Sequence, residues 1–219
     1  MTGTHGSARR PRRVRPEADG SVLRWPGAAQ RFALFGEVLW IGALMALVCL
    51  PVITWPAAVA AGAAHLRRFL SAEATPASEF FRDAVRALPG ALGVGAATTA
   101  LAAVVGLDLV LLSTGGLPGG VPVAALVAAI GVAALVLTVI AASLWSPGTP
   151  WRALLRISPR VARADLSGTA YTVAALGLAA TIVWQFLPLV IPVFGLLAFA
   201  LVAVGERRML RLEAAAAAR

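Results

Sequence analysis

Residues 32–68, FALFGEVLWIGALMALVCLPVITWPAAVAAGAAHLRR, decide how the rest of the chain is read. An apolar run ends at Leu50-Pro51, a second run follows, and Arg67 and Arg68 stop it. Proline lacks a backbone donor and disfavours helix at the residue before it, so Leu-Pro marks a break. As helix, the first run (32–50) covers about 29 Å, enough to cross a bilayer. The second (52–66) covers only about 23 Å, so it spans a thinned bilayer or enters as a partly buried re-entrant segment. Together they read as a helical hairpin in lipid.

Composition agrees. The chain is 59% hydrophobic and 13% charged, whereas soluble domains carry about 25% charged residues. Several uncharged runs of spanning length exclude an ordinary soluble domain. Cys49 is the single cysteine, so no intrachain disulfide exists, and its apolar surroundings make it a small buried hydrophobe. The net charge is +9, and every basic residue is an arginine. A nucleic-acid binder would spread such charge over a soluble face with interleaved aromatics. Here the arginines lie in blocks between apolar runs, the pattern that orients a membrane protein, and no nucleic-acid partner is expected.

Worked outward, residues 1–31 form a basic, Gly/Pro-rich tail without apolar periodicity, and the reading is a disordered anchor near anionic lipid. Spans are expected at 32–50, 52–66, 88–113, 123–146, 167–187 and 189–205, with a C-terminal tail at 206–219. Interfacial amphipathic helices are expected at 75–87 and 149–163, each opening on Thr-Pro as cap and first helical residue. Ser158-Pro159 is expected to kink or divide the second. The Gly/Ala-rich run 88–113 reads as the central helix, because small residues let backbones approach in lipid.

Leu-Pro recurs at 50–51, 117–118 and 187–188, each followed by a further proline, while Leu88-Pro89 breaks the pattern. TPASEFFRDAVR (75–86) matches TPWRALLRISPR (149–160) at Thr, Pro, two apolar positions and both arginines. The expectation is an all-α polytopic transmembrane helical bundle: about six membrane helices as three Pro-broken hairpins, with cytoplasmic amphipathic helices between them. If all six runs cross, every arginine falls on one side, which places both termini in the cytoplasm of a multi-pass plasma-membrane protein. Trp25, Trp55, Trp145, Trp151 and Trp184 lie near run ends, as an interfacial belt would.

Residues 34–90 carry a familiar pattern: an apolar run into Leu-Pro-Val-Ile-Thr-Trp-Pro-Ala, small residues to paired arginines, then Glu-Phe-Phe-Arg-Asp. This resembles the YesL-like family of bacterial membrane proteins, a domain family without an agreed activity. Some members are encoded beside carbohydrate uptake transporters, so the resemblance implies an accessory role there. It carries over no catalytic residue. The chain departs from the family in its basic N-terminal tail, its use of arginine without lysine and its Ala-rich end.

Charge inside a bilayer is costly, by about 2.5–3.5 kcal/mol at a helix centre, so Glu37 and Asp108 are candidate functional residues, with Gln185 a third polar position. Glu37 has a simpler explanation in snorkelling or pairing with Arg31, and Asp108 in solvation near the outer edge. His65 reads as an interfacial residue rather than a metal ligand. Tyr171, Gln185, Thr98 and Thr99 read as helix–helix hydrogen-bonding positions. Arg67, Arg68, Arg82, Arg86, Arg152, Arg156 and Arg160 are candidate contacts to anionic headgroups or an acidic partner, and the last three share one helix stripe. There is no P-loop, His-Glu-x-x-His or Gly-x-Ser-x-Gly motif. Neither enzymatic activity nor a cofactor or metal is expected. The leading expectation is an accessory or structural partner of a membrane transport complex, of the ABC type or by self-association. The alternative is a self-contained small-solute or ion transporter using the intramembrane acids.

Overall fold

The computed structural model describes residues 31–113 and 120–217. Among them, seven α-helices run in chain order: α1 Arg31–Val48, α2 Trp55–Leu70, α3 Ala77–Ser113, α4 Gly120–Ser143, α5 Trp151–Ala164, α6 Leu166–Gln185 and α7 Val190–Ala217. A short 3₁₀ turn, Val52–Thr54, follows the first recurring Leu-Pro step, and another, Leu187–Leu189, contains the third. No strand occurs among the described residues. The second Leu-Pro step, at 117–118, and the basic tail with Trp25 lie outside them.

Among the described residues, four helical segments are long and apolar enough to cross a membrane: Ala77–Leu112, Gly120–Ser143, Leu166–Gln185 and Leu187–Arg211. Their apolar side chains stay largely uncovered. Val104, Leu107 and Val110 of α3, Val121, Leu126 and Ile130 of α4, and Leu178 of α6 are all exposed. A helix bundle tolerates such surface in lipid, where apolar side chains face a solvent of their own kind.

The centre is α2, not the Gly/Ala-rich run 88–113 that composition singled out. Every residue from Pro56 to Leu66 is buried, so α2 is covered on all sides, the signature of a core helix. It packs against α1, α3, α4 and α7. Alanine and glycine keep its girth small enough for four neighbours. Its length, short for a bilayer, matches protein rather than lipid. By contrast, only 6% of the most apolar window of α3 is buried.

Glycine sets two close approaches. A Cβ on Gly42 of α1 would overlap the Ile191 carbonyl of α7, and one on Gly195 of α7 would overlap the Val38 carbonyl of α1. The first and last helices therefore touch backbone to backbone, as small residues permit in membrane bundles. Thr54 ties the α1–α2 turn, donating from Oγ1 to the carbonyls of Val48 and Pro51. The Trp55 indole N–H donates to Thr98 Oγ1 at 3.2 Å, joining that turn to α3.

Several boundaries differ from expectation. The interfacial helix at 75–87 and the span at 88–113 are one helix, α3, passing through Pro89. The span at 189–205 and the tail at 206–219 likewise merge, because α7 continues to Ala217. Thr75 and Thr149 are not the caps: α3 starts at Ala77, and Pro150 is the N-cap of α5 with no side-chain cap bond. Ser158-Pro159 does not divide α5. Proline leaves the Leu155 carbonyl without its i+4 donor, and Ser158 Oγ donates to that carbonyl at 3.2 Å instead.

Candidate functional site

Side-chain contacts gather the C-terminus of α2, the start of α3, the end of α4, α5, the start of α6 and the later part of α7 at one arginine-rich end. Arg67 reaches across from α2, donating from its two terminal nitrogens to the Ser143 carbonyl at 2.5 Å and the Trp145 carbonyl at 2.7 Å. Ser143 ends α4 and Trp145 lies two residues beyond it, where no further helical N–H follows to satisfy their carbonyls. Burial and the neighbouring Arg68 charge push the Arg67 pKa below the ordinary arginine value, with Asp83 and Glu206 opposing. Arg68 pairs with buried Asp83 at 2.8 Å and lies 3.6 Å from Glu79. Arg67 and Arg68, expected as lipid or partner contacts, are thus internal fasteners. The sequence places them at a run end but cannot show which carbonyl or carboxylate they meet.

Glu37 and His65 form the second inward pair. Glu37 Oε1 lies 2.6 Å from His65 Nε2, and the histidine is fully buried. The edge-on Phe80 ring sits 6.3 Å away, centroid to centroid. Glu37 is therefore satisfied from α2, and His65 lies in the packed interior instead of at an exposed headgroup level. Asp108 is half-buried on α3 and forms no hydrogen bond or ion pair with any described residue. Gln185 is exposed at the end of α6. Among the described residues, none of Glu37, Asp108 or Gln185 lines any of five cavities between the helices. Of the other polar positions, Thr98 makes the expected interhelical bond, and Tyr171 lies beneath the Arg207 guanidinium, 4.8 Å from its ring centroid.

Tryptophans expected in an interfacial belt divide into two kinds. Trp184 is exposed, whereas Trp145 and Trp151 are 2% and 5% exposed. Trp151 fixes α5 to α3: its indole N–H donates to the Ala87 carbonyl at 2.9 Å, and its ring fills the space a Gly90 side chain would occupy. That anchor holds α5 so that Arg152, Arg156 and Arg160 project outward, exposed, with no acidic partner among the described residues. Arg82 is exposed on α3, and Arg86 is 3.9 Å from Asp83 with its side chain half exposed. The arginines thus sort into an internal set that closes the bundle and an outward set available to an anion.

No family model, curated protein or solved structure matches this chain.

The site's chemistry rests on its own geometry. No group of three or more His, Cys, Asp or Glu able to hold a metal ion occurs among the described residues. The outward guanidinium groups supply fixed positive charge and bidentate donors, suited to carboxylates and phosphates.

One fastener escaped the sequence reading. Asp165 separates α5 from α6 and is 6% exposed. It accepts from the Gly168 N–H at 3.0 Å and Ser167 Oγ at 2.9 Å, and it pairs with Arg208 at 3.3 Å and Arg211 at 3.2 Å. An aspartate just before an apolar run is a cap signal, and that signal was present in Asp165-Leu-Ser-Gly. Burial raises its pKa, but the Gly168 and Ser167 hydrogen bonds and the Arg208 charge outweigh burial and leave it lowered. Because the folded value lies below the unfolded one, this contribution to stability is present above about pH 4 and disappears as pH falls through the folded value. Asp165→Asn is expected to cost about 1–3 kcal/mol at neutral pH, the worth of hydrogen bonds to a charged group. In detergent melts at pH 7 and pH 3.5, the variant is expected to lose less stability on acidification than the parent. An equal loss would contradict the assignment.

Proposed function

We propose that the chain is a multi-pass membrane protein with six crossings and cytoplasmic termini, akin to the YesL-like family. In this reading it serves a transport complex as a non-enzymatic accessory and presents α5 as a docking face for an acidic partner surface. The observation carrying this is the division of arginines. Arg67 and Arg68 are consumed internally, while Trp151 clamps α5 with Arg152, Arg156 and Arg160 turned outward. A guanidinium stripe on a pre-positioned helix loses little conformational freedom on binding. The self-contained transporter has no matching observation, since none of Glu37, Asp108 and Gln185 lines any of those five cavities among the described residues.

Affinity capture in mild detergent tests the proposal. The parent protein is expected to retain a permease or ATPase of the ABC type. The R156Q/R160Q variant is expected to retain it about tenfold less, the equivalent of roughly 1.4 kcal/mol from two exposed charge contacts. Equal recovery by both, or recovery of the protein alone under conditions that preserve known complexes, would remove the docking role.

A further inference from the structure

A cavity of about 660 Å³ opens between α3 and the connection from α4 to α5. Arg86 of α3 and Arg152 of α5 both line it, and no acidic side chain among the described residues does. Asp83, the carboxylate nearest Arg86, is already paired more closely with Arg68, at 2.8 Å against 3.9 Å. Trp145, Trp151 and Val94 supply apolar walls, and Gly93 leaves one wall thin. The walls are rigid: both tryptophans are buried, and Trp151 is bonded to the Ala87 carbonyl.

This lining selects an amphiphile. A simple inorganic anion would leave the indole and aliphatic walls unused. A neutral apolar molecule would leave the Arg152 guanidinium without a charged acceptor and Arg86 with only the distant Asp83, at 3.9 Å. The cavity also sits where the apolar stretch of α3 begins beyond its arginines and where α4 ends, the depth at which tryptophan and arginine meet headgroups. We infer that it binds one anionic glycerophospholipid, its phosphate held by Arg86 and Arg152 and an acyl chain lying along Val94 and Gly93. The inference rests on the membrane placement proposed above and not on the docking role of Arg156 and Arg160.

The test uses the full chain in nanodiscs of equal phosphatidylglycerol and phosphatidylcholine, delipidated and weighed by native mass spectrometry. One phosphatidylglycerol is expected to stay bound to the parent and to R156Q/R160Q. R86Q/R152Q is expected to retain it about tenfold less or lower, the loss of two charge-assisted contacts. G93L tests the walls without touching charge: a Cβ at Gly93 meets nothing within 4 Å, so the larger side chain enters open space. It is expected to expel the lipid from a folded protein. Equal retention of both lipids, wild-type retention by G93L, or displacement by millimolar inorganic phosphate would each overturn the assignment, the last in favour of free phosphate. Loss of the lipid result with partner capture intact removes this site alone, and the converse removes the docking role alone.

Discussion

Gly195→Leu is expected to destabilise the protein by at least about 3 kcal/mol, the upper end of ordinary overpacking costs. The reason is the identity of the obstacle. A Cβ at Gly195 would overlap the Val38 carbonyl, and the reciprocal position, Gly42, faces the Ile191 carbonyl. A flexible side chain can rotate aside, but a carbonyl inside a helix can move only with its helix. The substitution must therefore separate α1 from α7. Those helices flank α2, so its buried alanines would lose cover on two sides. Stability of native domains is about 5–15 kcal/mol, so this loss is a large share of it. Gly36→Leu is the matched control, since nothing lies within 4 Å of a Cβ there, and it is expected to cause no loss, with a gain of up to about 1 kcal/mol from removing glycine from a helix. Thermal melting in detergent with monodispersity by size exclusion reads both. A Gly195→Leu protein that melts with the parent would refute the α1–α7 crossing.

Much of this architecture was legible because its signals are local. Leu50-Pro51 and Leu187-Pro188 end helices as written, and the uncharged runs became α4 and α6 within a few residues. The failures at proline share a cause: a local rule was read without the groups that surround the proline in the fold. A boundary was read between 87 and 88, just before Leu88-Pro89, yet α3 continues through that proline. Pro159 was read as a break, yet Ser158 replaces the missing donor. Freed backbone groups in membrane helices are commonly satisfied again by neighbours and hydroxyls.

The choice of central helix failed for a related reason. Both α2 and the run 88–113 are rich in small residues, and composition alone cannot say which is surrounded. The decisive features were position in the chain and the glycine-mediated closure of α1 on α7, which encloses the helix between them. At the site, the α5 stripe followed from four-residue spacing. The pairing of Glu37 with His65 could not follow from sequence, because it depends on the register of α1 against α2. Charge blocks were readable as blocks; which arginines turn inward was set by where α4 ends.

Arg67→Gln separates these two classes of arginine. It is expected to cost about 3 kcal/mol, since hydrogen bonds from a charged group are worth about 1.5–3 kcal/mol and two are lost. The Ser143 and Trp145 carbonyls, satisfied at 2.5 and 2.7 Å, would be left at a partly buried helix end that water reaches poorly. Arg67→Lys is not expected to restore the parent, because an ammonium cannot span two carbonyls with the planar fork of a guanidinium. Since residues 144–150 connect the end of α4 to α5 and include Trp145, loosening these carbonyls would also release the anchor beneath Arg156 and Arg160, so partner capture should fall together with stability. Arg156→Gln should weaken capture at unchanged melting temperature. If Arg67→Gln instead behaves like Arg156→Gln, with capture reduced and stability intact, then Arg67 faces the partner and the internal set has been drawn too wide.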